Sequence, residues 1–399
     1  MKYLMIEPEV KAIAPNIALM KWARYCEMHN YEYQYVRGHL KPDIQPDKML
    51  MSCIFSTYSE KYENTINFYR KLFPDVPLIV GGAFPSLNPK WFTVRWWRTL
   101  KNGSKELYLH RGLYSALDNL SPKYNVTITS QSILPYHTEK IVLYTSRGCP
   151  NNCGYCAVPR LEGDMKSLKS ISHMLQTAKN EMPEANSVVL YDNNFTEQEY
   201  FDKIIDELVE FGLPVDIHGL HVDSFTEHQA KRLSELKWVG QSKSGSPYIR
   251  FSFDKMKYAE NIERALRLTA KHKIRATFFC YLLFNFTDSP DDFWRKVVKT
   301  QEMVNRVGKS IVLFPQRYEP LNALKRDSYV GPKWTAEMVK GLVRLCLHNR
   351  GFMSISPSGN MFRWIGYSKE ELVAMGFKEH HLEGELKLYG GFYALGFSA

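Results

Sequence analysis

The chain has 399 residues, 44% of them hydrophobic and 14% aromatic, enough to build more than one packed core, so two domains are expected. No apolar run reaches the roughly 18–20 residues of a membrane helix, and Glu7 and Glu9 interrupt the start where a signal peptide would stay apolar, so a cytoplasmic protein without a membrane partner is expected. The formal charge of +10 suits an anionic partner, a nucleic acid or a phosphorylated ligand, though many basic enzymes bind neither, and four of the seven cysteines (26, 53, 280 and 346) lie too scattered for a disulfide framework.

The first part of the chain alternates strand-like runs at 2–8, 31–38, 48–55 and 77–82 with helix-like runs at 17–29 and 64–73. This rhythm predicts a doubly wound, flavodoxin-like α/β domain over residues 1–125. Gly81 and Gly82, at the end of the fourth run, permit a close approach by a ligand or a neighbouring loop, or serve a simple turn. Residues 121–138 are polar, carry two prolines and show neither period, which marks a boundary.

From 139 to 332 six strand-like segments (141–146, 187–192, 215–220, 249–254, 274–284 and 310–315) alternate with five helical ones (165–180, 199–212, 227–236, 261–273 and 291–308). That order predicts a partial (β/α)6 barrel with its chemistry at the C-terminal ends of the strands. The C-terminal extension, 333–399, opens with a helix over 334–351 and then loses its period. It reads as a cap or a substrate-contacting segment.

Directly after the first barrel strand comes TSRGCPNNCGYCAVP, which places Cys149, Cys153 and Cys156 within eight residues. Soft thiolates select iron–sulfur clusters or zinc, and three of them leave one metal without a protein ligand. A structural zinc site with His137 or His173 as fourth ligand has the right ligand chemistry but lacks the paired-knuckle spacing.

This segment, including the aromatic Tyr155 before the third cysteine, resembles the signature of the radical S-adenosylmethionine (SAM) superfamily. The resemblance implies a [4Fe–4S] cluster on the three cysteines, SAM on the open iron, and reductive cleavage to a 5′-deoxyadenosyl radical that abstracts a substrate hydrogen. It also implies a one-electron reductant of flavodoxin or ferredoxin type. The family's second strand ends in a Gly-Gly-Glu motif that meets the cofactor amino group. Here Tyr191, Asp192, Asn193 and Asn194 stand in that place, so Asp192 and Asn193 are carried over, with a polar turn and helix cap as the competing role. Ser252 and Asp254, on one face of the fourth strand, fall where the family contacts the cofactor carboxylate or ribose, or they are surface and capping residues. His218 and His221 after the third strand are candidate substrate residues, as are Gln316, Arg317 and Tyr318 at the end of the sixth, with an interdomain salt bridge the alternative for Arg317.

A doubly wound domain ahead of such a barrel resembles the cobalamin-associated branch of the superfamily. The Asp-x-His-x-x-Gly element that gives cobalt its lower axial histidine is missing, and some members of the branch do without it, so cobalamin stays open. No further grouped cysteines exist for a second cluster, which leaves rearrangement, methylation or another carbon-centred change. Three readings follow: modification of a nucleobase in DNA or RNA, with the aromatic residues of 91–98 and 360–367 stacking on an extruded base or simply forming core; cobalamin-dependent methyl transfer to a peptide or small metabolite; and a cluster-bearing sensor.

Overall fold

A computed structural model describes residues 1–12, 15–96, 98–100, 103, 105–132, 134, 139–240, 245–348 and 353–357, with backbone alone for 344–348. In the N-terminal part, β1 (Lys2–Glu7), β2 (Glu32–Arg37), β3 (Lys48–Ser52), β4 (Leu78–Gly81), β5 (Leu107–Leu109) and β6 (Ile128–Ser130) form one sheet in the order β5-β4-β3-β1-β2-β6. Every pairing is parallel. Leu4 and Ile6 of β1 pack on one face with Tyr62, Ile66 and Tyr69 of helix Ser59–Leu72; Tyr3 and Met5 pack on the other with Leu19, Ala23 and Cys26 of helix Ile17–Met28. A strand buried on both faces needs the continuous apolar run this one has. The order reverses between β1 and β3, so the crevice of this flavodoxin-like domain lies outside the C-terminal ends of those strands. Gly82 stands at that edge with φ +105°, and a Cβ there would lie 2.4 Å from the Cys53 carbonyl oxygen. Gly82 therefore serves the close approach of the neighbouring strand end at Cys53.

One expectation changes here and one open alternative is decided. Residues 121–138 read as an irregular boundary, yet Ile128–Ser130 is the edge strand β6, with Ile128 opposite Tyr35. A three-residue strand of Ile, Thr and Ser has no period to betray it. The aromatic run at 91–98 is core where it is described: Phe92 and Trp96 are buried beside Phe84, Trp91 packs against them, and the Arg95 guanidinium lies 4.4 Å from the Trp91 ring centre. These rings are not free to stack on a base. The second aromatic run, 360–367, lies outside the described residues.

The second part carries β7 (Lys140–Leu143), β8 (Ser146–Arg147), β9 (Lys166–Ser167), β10 (Ser187–Leu190), β11 (Val215–Ile217), β12 (Tyr248–Ser252), β13 (Thr277–Phe284), β14 (Ile311–Arg317) and β15 (Met353–Ile355). Helices Ser172–Glu181, Phe201–Phe211, Glu227–Leu233, Ala259–Lys271 and Pro290–Val307 fill the intervals. The last is capped as its sequence announces: Ser289 and Asp292 form a capping box, Pro290 opens the first turn and Gly308 closes it. The expected first strand is divided, because Ser146 and Arg147 pair antiparallel with Ser167 and Lys166. The same ladder delays the first helix to Ser172.

Outward residues of the strands (Ile141, Leu143, Val188, Leu190, Val215, Ile217, Ile249, Phe251, Phe278 and Cys280) join one core with the helices. By alternation Asp216, Arg250, Phe279 and Tyr281 face the lumen. The six parallel strands do not share one ladder: β11-β10-β7 and β12-β13-β14-β15 are separate sheets. Beside β11 the chain at Trp238 takes the place β12 would occupy, with Val215 N–H on the Lys237 carbonyl at 2.7 Å and Val239 N–H on the Val215 carbonyl at 2.9 Å. Side chains span the gap. Arg250 Nη1 donates to Asp216 Oδ1 and, at 3.3 Å, to the Ile217 carbonyl, and both charged side chains are almost fully buried. The described part of the C-terminal extension joins the barrel, β15 pairing antiparallel with β14 and Val339 and Leu342 of helix Ala336–His348 entering the core. Residues 358–399 lie outside the described residues. No described helix is long and apolar enough to cross a membrane.

Removing one member of a buried ion pair strands the other charge, whereas replacing both by apolar groups does not. Arg250→Met and Asp216→Leu should each cost about 3–5 kcal/mol, and the double variant clearly less than their sum. Thermal unfolding of the three variants checks this; strict additivity would show that the pair does not bridge the sheets.

Candidate functional site

The cysteine loop leaves the barrel between β8 and β9. Gly148, with φ +79°, lets its two legs cross: a Cβ there would lie 2.2 Å from the Asp164 carbonyl oxygen. Cys149 N–H then meets the Gly163 carbonyl at 3.3 Å, and Cys156 N–H meets that of Cys153 at 3.0 Å. All three thiols are half-buried. Polar hydrogens approach the sulfurs: the Asn151 backbone N–H at 3.5 Å and the Asn151 and Asn194 side-chain amides at 3.8 Å from Cys149 Sγ, and Val158 N–H at 3.4 Å from Cys156 Sγ. Burial pushes the Cys156 thiol up, so a metal must displace its proton. The donor set suits a cubane, in which each thiolate takes a different iron and the sulfurs need not converge. Among the described residues no three His, Cys, Asp or Glu gather round a single ion. His173 is exposed on helix Ser172–Glu181, and His137 lies outside the described residues.

Asp192, at the end of β10, is buried and faces back toward the first strand. Its Oδ1 accepts from Ser146 N–H and Oγ at 2.5 Å each, from Thr145 Oγ1 at 2.8 Å and from Thr145 N–H at 3.2 Å. Burial pushes this carboxyl up, and the four donors pull the other way. Asn193 donates to Glu162 Oε2 at 2.8 Å. Asn194 donates to Glu197, which also accepts from Asn151 at 3.3 Å.

Tyr155 and Asp254 meet across the barrel mouth, the phenol donating to Asp254 Oδ2 at 2.6 Å. Burial, with the adjacent carboxylate second, pushes the Tyr155 hydroxyl up; burial pushes the Asp254 carboxyl up as well. Beneath them the buried Lys296 ammonium donates to the Leu283 carbonyl at 2.8 Å and the Asp254 carbonyl at 3.3 Å. Burial lowers that amine, and Asp288 and Asp254 oppose the fall. Ser252 precedes Asp254 by two residues on the same half-buried face.

His218 lines the lumen, its Nε2 3.4 Å from Asp216 Oδ2 and its ring 4.8 Å from that of Tyr191. Burial lowers its pKa. His221 sits nearer the mouth, its N–H on Thr196 Oγ1 at 3.2 Å and its ring 6.3 Å from Tyr258. Arg317 is neither an interdomain bridge nor an open donor: Asp327 Oδ1 at 3.0 Å, the Tyr329 carbonyl at 2.7 Å and Glu319 at 3.3 Å engage it within its own loop. Tyr318 packs on Phe286 at 4.6 Å, and Phe286 lies 5.7 Å from Tyr155, so these three rings form one wall. Gln316 is half-buried, two residues before it. Sequence reasoning passed over Glu162, Lys296 and Asp216, which stand in ordinary segments with no motif around them.

The N-terminal domain meets the barrel at this end. A Cβ on Gly112 would lie 3.2 Å from the Leu161 carbonyl oxygen and Ser56 Oγ donates to the Ala323 carbonyl at 2.5 Å; at the opposite end Arg24 pairs with Glu181 at 2.5 Å. The family model for the Radical SAM superfamily matches residues 143–296. The barrel belongs to the radical SAM superfamily. Beyond it, the chain is similar in fold to the cobalamin-dependent S-adenosylmethionine radical enzyme OxsB. The form solved with aqua-cobalamin and S-adenosylmethionine bound superposes with a TM-score of 0.55 at 13% identity, covering 77% of this chain and 52% of that one. The apo form gives 0.53 at 13% identity, covering 77% and 52%. The chain thus spans about half the length of that enzyme, and at this identity the likeness concerns the fold alone. No curated protein matches the chain.

Asp192→Asn keeps the shape of the radical SAM barrel here but removes the charge on which the Thr145 and Ser146 donors converge and replaces one carboxylate oxygen by an NH2 donor. It should cost about 2–4 kcal/mol. Thermal unfolding of the metal-free protein checks this, and an unchanged melting temperature would show that the carboxylate does not hold the strand ends together.

Proposed function

We propose that this chain is a radical SAM enzyme that cleaves SAM reductively at a [4Fe–4S] cluster on Cys149, Cys153 and Cys156 and uses the product for hydrogen abstraction and carbon-centred modification. The observation that carries this reading is the cysteine loop itself, set at the C-terminal end of the first barrel strand with polar hydrogens on its sulfurs. Held by these three cysteines, such a cluster would supply the one-electron chemistry that cleaves the SAM sulfonium, with a flavodoxin- or ferredoxin-type donor as the source of the electron.

The chain's own residues hold and screen. Tyr155, Asp254 and Ser252 are assigned the cofactor side of the mouth, where the phenol already fixes the carboxylate. Asp192 acts through Thr145 and Ser146 rather than by contact. Asn193 and Asn194 hold carboxylates beside the loop. His218 and His221 are assigned to the substrate, Tyr318 to the aromatic wall, and Arg317 to the loop behind that wall.

A second reading, cobalamin-dependent methyl transfer to a peptide or small metabolite, is favoured by the fold likeness to OxsB, which was solved with aqua-cobalamin bound. The crevice edge of the N-terminal domain, which faces the mouth, has room in its chemistry for such a ligand: His110, following β5, has a buried Nε2 without a hydrogen-bond partner among the described residues.

Anaerobic reconstitution followed by reduction with SAM should give a brown protein and 5′-deoxyadenosine, and Cys153→Ala should abolish both. A variant that keeps colour and cleavage would sink the assignment. Bound cobalamin together with S-adenosylhomocysteine in the same sample would select methyl transfer; deoxyadenosine without cobalamin would select hydrogen abstraction alone.

A further inference from the structure

We infer that Glu162 is the positioning residue of the cysteine loop, its carboxylate clasping both legs of the loop to the end of the second barrel strand and contributing a fixed negative charge to the cluster's surroundings. The inference rests on the proposed function. Three donors from two places converge on this one side chain. Gly148 N–H, on the outgoing leg next to Cys149, reaches Oε2 at 2.7 Å; the Asn193 amide, beyond β10, reaches the same oxygen at 2.8 Å; Arg147 Nη2, on β8, reaches Oε1 at 2.6 Å. Glu162 itself closes the returning leg, its N–H on the Val158 carbonyl at 2.8 Å.

The side chain is only 10% exposed and that of Arg147 23%, so this is not a solvated surface pair. Arg147 is fixed in turn by the Tyr144 ring, 4.2 Å below its guanidinium. The clasp has a mechanical reason. Closing a loop of this length costs chain entropy, and a loop of three cysteines without metal has little apolar surface to offset it. A carboxylate that accepts from both the start of the loop and the neighbouring strand holds Cys149 in register with Asn194, whose amide touches its sulfur at 3.8 Å. The charge has an electrical reason. Reduction adds an electron, and a nearby fixed negative charge opposes it, since net charge and hydrogen bonds to the sulfurs set the potential of such clusters.

The test compares the reconstituted wild-type chain with Glu162→Gln and Glu162→Ala, measuring iron and sulfide per chain, the midpoint potential by EPR-monitored redox titration, and the melting of the metal-free forms. Glu162→Gln keeps one acceptor oxygen and removes the charge, so it should fold, retain its cluster and show a potential shifted to more positive values. Glu162→Ala should lose more than half of the iron and sulfide while its metal-free form still folds. If Glu162→Ala does not fold, Glu162→Gln decides alone. A folded Glu162→Gln with wild-type cluster content and an unchanged potential overturns the inference. A wild-type chain that takes up no cluster would instead fail the proposed function, with the clasp falling as a consequence.

Discussion

Everything at the barrel mouth depends on one buried carboxylate turned the wrong way for a surface group. Asp192 lies inside protein, where an isolated charge would be expensive, and its cost is met by donors drawn from Thr145 and Ser146 on the strand next door. Those two residues lead directly into the cysteine loop. The hydrogen bonds therefore fix the point from which the loop departs, and the loop's glycine crossing and thiol spacing operate from a defined origin. A capping residue at the end of a strand would have satisfied only its own backbone; this one ties two strands.

The same economy governs the opening between the half-sheets. Backbone pairing stops at β11 because Trp238 occupies its free edge, and the lumen-facing Arg250 and Asp216 carry the connection instead. Such a pair is weak evidence of stability in itself. Its effect is directional, since it orients the neighbouring Asp216 oxygen toward His218 and leaves a polar floor beneath Tyr191.

The alternation of apolar strands and amphipathic helices made the architecture legible, because six strands and five helices of ordinary length leave a strong period. The short elements escaped. β6 and the β8–β9 ladder consist of Ser, Thr, Ile, Lys and Arg in runs of two or three, where pairing partners rather than composition decide the conformation. The cysteine loop was legible from spacing alone. Tyr155 and Asp254 were each legible as candidates but their meeting was not, and Arg317 found its partners in a loop whose path no pattern announces. Glu162 could not have been found, since its three donors are defined only once the loop has closed.

The contact between Gly112 and Leu161 sets the N-terminal domain directly against the turn that brings the cysteine loop back. A barrel severed from that domain would leave this turn uncovered at Leu161. The doubly wound domain thus lies against the returning leg of the loop, which makes the junction after Ser130 a poor place to divide the protein.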